Sequence, residues 1–220
     1  MVEYEKPSVT VDIVIFTIQD GELKVLLVKR GLEPFKGKWA IPGGFVKMPE
    51  SLENAAKREL EEETGVKDVY LEQLYSFGDP GRDPRGRVIT VAYIALVNSG
   101  KIKLEAKTDA EDARWFSMRK VPQLAFDHKK ILEYAFKRLK WKFEYTTVAF
   151  SMLPKQFTIS QVKEIYEIGF DKEFDKRNFA KKLLSLDILK EEGIMKDVPY
   201  RPPMLYSLKA DIGEIIEMIS

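Results

Sequence analysis

Hydrophobic and polar positions alternate along this chain in rhythms that change from region to region. Val11–Thr17 and Leu23–Lys29 are dominated by Val, Ile and Leu, and Gln19-Asp20-Gly21 between them is a turn signal. The pattern predicts a β-hairpin. Val69–Phe77 and Val88–Val97 predict two further strands, separated by the Gly-, Asp- and Pro-rich loop Gly78–Gly86. Between the strand groups Leu52–Thr64 predicts a helix, with Ser51 as its N-cap and Gly65 as its stop. Asp109–Asp112 reads as an acidic turn leading into Trp115-Phe116, two core positions.

Ile131, Leu132, Ala135, Phe136 and Leu139 recur at helical spacing in His128–Phe143, where six Lys or Arg stand against one Glu. A solvated outer face is the leading reading of that basic side; a link between domains, or a flank for DNA, are the others. The last seventy residues read helix, helix, strand, strand. Thr158 and Gln161 form a capping box, Phe157 and Val162 a hydrophobic staple, and Gly169 is the expected helix end. Asp175 caps a second helix whose apolar side is Phe179, Leu183 and Leu186, with Phe174 and Phe179 as its staple. Ile188–Lys190 and Met204–Leu208 complete a ribbon, and the whole is a winged helix-turn-helix pattern.

Composition changes this picture little. A hydrophobic share of 45% supports a buried core, and a formal net charge of +1 gives no global field to attract nucleic acid. The absence of cysteine excludes disulfides and thiol nucleophiles, and a single histidine leaves little room for histidine-based metal sites. With no signal-like start and no membrane-length apolar run, a cytoplasmic protein without membrane contact is expected.

The chemistry concentrates between residues 44 and 66. At 100° per residue, Glu59, Glu62 and Glu63 fall within about 100° of arc, on the same side as Leu52, Ala55 and Ala56. Three carboxylates turned inward repel one another and resist desolvation, and a hard cation with oxygen ligands, Mg²⁺ or Mn²⁺, is the simplest remedy. Arg58 is expected to pair with Glu50 and orient the cluster. Gly43-Gly44 allows close backbone approach, and a Gly43 carbonyl is a further candidate ligand.

The segment matches G-x5-E-x7-R-E-U-x-E-E-x-G-U at all nine fixed positions, Gly44, Glu50, Arg58, Glu59, Leu60, Glu62, Glu63, Gly65 and Val66. It resembles the Nudix hydrolase family. The resemblance implies an α/β/α sandwich over residues 1–145, metal binding by Glu59, Glu62 and Glu63, and activation of water against a diphosphate. Glu59 is the candidate base, a role that in this family also falls to residues on a separate loop; Glu111 is an outlying candidate. The loop FGDPGRDPRGRV resembles that of ADP-ribose-type members. It makes Arg82 and Arg85 candidates for the ligand's phosphates, as planar forks that suit them, or else partners in solvated ion pairs. Phe77 and Phe35 are candidates for stacking on a base, or ordinary packing residues.

Residues 146–220 hold 11 basic and 12 acidic side chains, so only a local patch could meet DNA. Lys176, Arg177, Asn178, Lys181 and Lys182 on the second helix supply one, with Arg201 and Lys196 in the ribbon. The runs LPKQFTISQVKEIYE and FDKRNFAKKLLSLDILKE resemble the C-terminal domain of NrtR-type Nudix-related transcriptional regulators. That resemblance implies a sensor of ADP-ribose or a related metabolite joined to a winged helix at 146–220. It also implies operator DNA as partner, a homodimer, and control of NAD-metabolism genes, with relatives responding to sugars. Because the Nudix box is intact, ADP-ribose hydrolysis remains open beside regulation, as does a hydrolase with no DNA role.

Overall fold

The computed structural model describes residues 5–65, 67, 69–98, 110–196, 199, 202–210 and 216–218, without the side chains of 63, 64, 110 and 111. It divides into two compact units, one of residues 1–17 and 24–136, the other of 18–23 and 137–220.

The first unit is built on a seven-stranded sheet whose main path runs β3-β2-β1-β6-β5. Strands β1 (Ser8–Gln19) and β2 (Glu22–Arg30) follow the predicted hairpin, and Asp20 and Gly21 between them both have positive φ, 55° and 71°. This is the backbone twist that a tight hairpin requires. The short strands β3 (Trp39–Ala40) and β4 (Gly43–Phe45) pair with β2 and β1. Strand β5 (Tyr70–Phe77) lies at one edge, beside β6 (Val88–Leu96), which runs parallel to β1.

Residues 109–112 were expected as a turn; instead Ala110–Ser117 forms β7, antiparallel to β2. Pairing along a whole strand outweighs the local preference of acidic residues for turns. Asp109 lies outside the described residues.

Helix α1 (Leu52–Thr64) matches its predicted bounds. Ser51 accepts the Asn54 N–H, and Gly65 closes the helix in the left-handed conformation, φ 72°. Ala55, Ala56 and Leu60 pack on Val11, Ile13 and Ile15 of β1, with Val91, Tyr93 and Ala95 of β6. Side chains alternate across a strand, so Thr10, Asp12, Val14 and Phe16 face the other side. There α2 (His128–Tyr145) begins, with His128 beside Asp12 and Ile131, Leu132 and Ala135 fully buried.

In the second unit a 3₁₀ turn (Val148–Met152) precedes α3 (Ile159–Phe170) and α4 (Lys176–Ser185), and β8 (Leu189–Ile194) pairs with β9 (Met204–Leu208). Both arms of the Thr158–Gln161 capping box form, and Asp175 accepts the Asn178 N–H as the cap of α4. Phe143, Tyr166, Phe170, Phe174 and Phe179 make the aromatic core.

Gly169 does not end α3; the helix runs to Phe170 and is closed by Asp171 in the left-handed conformation, φ 53°. Gly169 serves packing instead, since a Cβ there would come within 2.6 Å of the Phe143 ring. No described helix is long and apolar enough to cross a membrane.

Candidate functional site

A cavity of about 500 Å³ opens in the first unit where β1, β4 and α1 converge. Glu59, Glu62 and Arg58 of the carboxylate-bearing segment line it, together with Gly43 and Gly44. Arg58 is the hub of this wall. Its guanidinium donates to Glu50 (2.6 and 3.0 Å), Glu59 (2.6 Å), Glu62 (3.1 Å) and the Phe45 carbonyl (3.2 Å).

The expected Arg58–Glu50 pair is therefore present and extends to two of the three clustered carboxylates. Arg58 and the Lys47 N–H hold Glu50 at a pKa of about 2, well below its ordinary 4.5. Burial pushes Glu59 the other way, above the ordinary value, against the pull of Arg58. Two carboxylates touched by one arginine thus differ in proton affinity because one is shielded from water.

Glu59 is 11% exposed and Glu62 42% exposed, so the first is a wall residue and the second is open to solvent. Gly44 explains how Glu59 fits, because a methyl group there would overlap its carboxylate. Carboxylate oxygens are the donor type that Mg²⁺ and Mn²⁺ prefer, and Glu59 and Glu62 supply two such groups. Among the described residues no group of three His, Cys, Asp or Glu side chains is gathered as a metal site. The side chains of Glu63 and Glu111 lie outside the described residues.

The arginine loop behaves differently from a free phosphate clamp. Arg82 is only 4% exposed; it grips Asp127 with two bonds (2.7 and 3.0 Å) and approaches Asp12 at 3.4 Å. Arg85 grips the buried Asp83 (2.6 and 3.0 Å), and its guanidinium lies over the rings of Phe45 (4.9 Å) and Phe126 (5.4 Å). Both arginines line the cavity, each already bound to a carboxylate. Phe77 is buried beside Tyr75 and Tyr134 and is not among the lining residues, whereas Phe35 packs edge-on against the lining residue Phe126 (4.8 Å).

The sequence alone does not single out Asp12, Phe126 or Asp127, and it offers Asp83 only as a loop neighbour of the arginines and His128 only as the lone histidine that opens a helix. A charged residue inside the otherwise apolar run of β1 was the available signal for Asp12. On α2, Lys142 is buried rather than part of a solvated basic face.

In the second unit Lys176, Arg177, Asn178 and Lys181 are exposed on α4, and Lys182 is half-buried. None of the four cations has an ion-pair partner among the described residues, while the Asn178 backbone is held by Asp175. Arg201 lies outside the described residues.

Residues 6–135 match the NUDIX domain family, and residues 149–208 match the NrtR DNA-binding winged helix domain. Over 208 residues, 93% of this chain and 83% of the relative, the sequence is 36% identical to the ADPR responsive transcriptional repressor NtrR of Acinetobacter baylyi. An ADP-ribose pyrophosphatase of Methanocaldococcus jannaschii is 42% identical over 139 residues, 63% of this chain and 77% of the relative. The fold superposes on the crystal structure of Shewanella oneidensis NrtR complexed with a 27mer DNA with a TM-score of 0.81. That match has 36% identity and covers 91% of this chain and 93% of that one.

Proposed function

Because this chain belongs to the Nudix family, in the branch that carries the NrtR winged helix, we propose that it is a transcriptional repressor whose Nudix unit senses ADP-ribose. The observation that carries this reading is the cationic face of α4, where Lys176, Arg177, Lys181 and Lys182 have no carboxylate partners among the described residues. Such charges are available to displace counterions from a DNA backbone. Asn178 in their midst has the amide that reads adenine edges. Arg201 is included in the DNA-contacting set as a cation of the ribbon sequence. The repressor works as a homodimer in the cytoplasm, so its operator is a two-fold repeat, and genes of NAD metabolism are its targets.

In the sensing unit Glu59, Glu62 and Glu63, with the Gly43 carbonyl, would hold Mg²⁺ or Mn²⁺ against the ligand's diphosphate. Arg58, bonded to both through one nitrogen, orients Glu59 and Glu62, and Arg82 and Arg85, each held by a carboxylate, stiffen the cavity wall. The bound cation would neutralise the diphosphate and polarise its P–O bonds.

Fluorescence anisotropy with genomic fragments upstream of the protein's own operon and of NAD-biosynthesis genes tests this reading. Sequence-specific binding that ADP-ribose weakens is the expected result. Equal affinity for all fragments at low salt, or indifference to ADP-ribose, would overturn it.

A second activity is favoured by the Arg58–Glu50–Glu59–Glu62 cluster, which a sensor alone does not require: cation-dependent hydrolysis of ADP-ribose to AMP and ribose 5-phosphate. Release of AMP that requires Mg²⁺ and disappears in Glu62→Gln supports it, and full turnover in that variant sinks it.

A further inference from the structure

Beside the carboxylate cluster the cavity wall carries a second polar group to which the Nudix segment contributes no side chain. The Nδ1 atom of His128 accepts the Ile41 N–H at 2.9 Å, so the lone pair of that nitrogen is in use. Burial holds the imidazole neutral, and the proton of a neutral ring with that bond sits on Nε2. The facing acceptor is Asp12 Oδ1, at 3.7 Å, which is too far for a hydrogen bond. The other oxygen of Asp12 reaches Arg82 only at 3.4 Å. A donor and an acceptor therefore stand side by side on the cavity wall without satisfying each other.

Two further observations point the same way. Thr10, on the same face of β1 and also lining the cavity, has a buried hydroxyl with no partner among the described residues. Gly43 pairs with Asp12 in register, and a methyl group on it would overlap the Val11 carbonyl as well as come within 2.8 Å of Asp12 Oδ1. The bare glycine backbone lets β4 lie close on β1 beside the carboxylate.

We propose that Asp12 and His128 together receive a sugar hydroxyl of the ligand, which accepts from His128 Nε2–H and donates to Asp12 Oδ1. A hydroxyl is the simple group that can do both at once. This rests on the reading of the ligand as a nucleoside diphosphate sugar. It sets the sugar one residue away from the diphosphate site, since Asp12 abuts Gly43 while Glu59 abuts Gly44. Asp12 and His128 then select for a hydroxylated sugar, because an analogue without that hydroxyl leaves the His128 Nε2–H and Asp12 Oδ1 without a partner there.

Calorimetric titration of the full chain, with Ca²⁺ in place of Mg²⁺, tests this with ADP-ribose and with inorganic pyrophosphate. His128→Asn sets an amide oxygen where Nδ1 accepts from Ile41 but has nothing at Nε2. It is expected to weaken ADP-ribose at least about tenfold while leaving pyrophosphate within about twofold. His128→Gln sets an amide nitrogen near Nε2 and is expected to recover most of the loss. With the wild type, one of the ADP-ribose analogues lacking a single hydroxyl is expected to bind at least about tenfold more weakly, a readout that needs no variant to fold.

Unchanged ADP-ribose affinity in His128→Asn, a parallel loss of pyrophosphate, no recovery in His128→Gln, or equal binding of every analogue would each overturn the assignment. A wild type that does not bind ADP-ribose would overturn the ligand reading itself, and the assignment with it. Wild-type binding with an indifferent His128→Asn removes the assignment alone.

Discussion

The cavity and the recognition helix both depend on positive charge, and they hold it in opposite ways. Around the cavity Arg58, Arg82 and Arg85 are each bound to carboxylates at 2.6–2.7 Å. On α4 Lys176, Arg177, Lys181 and Lys182 have no such partners among the described residues. A paired, half-buried arginine is a strut: it fixes geometry, and its charge is largely spent on its neighbours. An exposed, unpaired lysine fixes nothing, yet its charge is fully available to a phosphate. The same residue types therefore mark shape in one unit and affinity in the other. That difference is why Arg82 and Arg85, arginines in a ligand-type loop, reach the cavity already occupied.

Experiments can strain the contrast, beginning with the largest effect. Glu59→Gln removes the shielded carboxylate and is expected to lower any cation-dependent release of AMP by roughly 10²- to 10⁴-fold. Operator binding without ligand should be untouched, and anisotropy would expose any change. The double variant Arg177→Ala, Lys181→Ala makes the converse cut. Plotted against the logarithm of salt concentration, the logarithm of its DNA affinity should lose about 0.9 of slope for each phosphate contact removed. Its denaturation midpoint should not move, because neither side chain has an ion-pair partner among the described residues; a large drop in stability would show that these cations are struts after all.

Arg58→Met leaves Glu59 buried without its partner and is expected to cost about 1–3 kcal/mol in urea unfolding. A loss near zero would mean that solvent already screens the cluster. The pH dependence carries a sign that can be checked. Arg58 lowers the folded-state pKa of Glu50 to about 2 from 4.5, so its contribution is fully present above pH 4.5. It is lost as pH falls from 4.5 toward 2. Melting temperature should decline over that window in the wild type, and less steeply in Glu50→Gln.

The smallest effect lies in the aromatic core of the second unit. The Tyr166 hydroxyl is buried with no partner among the described residues, and burial pushes its pKa upward. Tyr166→Phe removes an unsatisfied polar atom and should be neutral or stabilising by up to about 1 kcal/mol. A marked loss in thermal unfolding would reveal a partner for the hydroxyl.

Much of both regions was legible in the chain because it is written within one or two helical turns. The phase of Glu59 and Glu62 on α1, the Ser51, Asp175 and Thr158 caps, and the Arg58–Glu50 pair join residues at most eight positions apart. At that range backbone geometry alone fixes which side chains meet. Gly169 shows the limit of even local reasoning. Glycine is also the residue for close packing, and only the Phe143 ring says which use applies here. Glu111 and Asp112 failed as a turn because strand pairing with β2 is a property of the sheet and not of the segment.

What the sequence by itself determined is therefore the family motif, the helical phase of its carboxylates, the capping of three helices and the winged-helix order of the last elements. Only the tertiary structure decided that Asp12, Arg82 and His128, far apart in sequence, meet in one wall of the cavity, with Asp127 gripping Arg82. Their meeting follows from β1 lying parallel to β6 and from α2 starting beside β1. Register and packing are set by the burial of the whole core, so no local pattern announces which distant polar side chains that burial brings together.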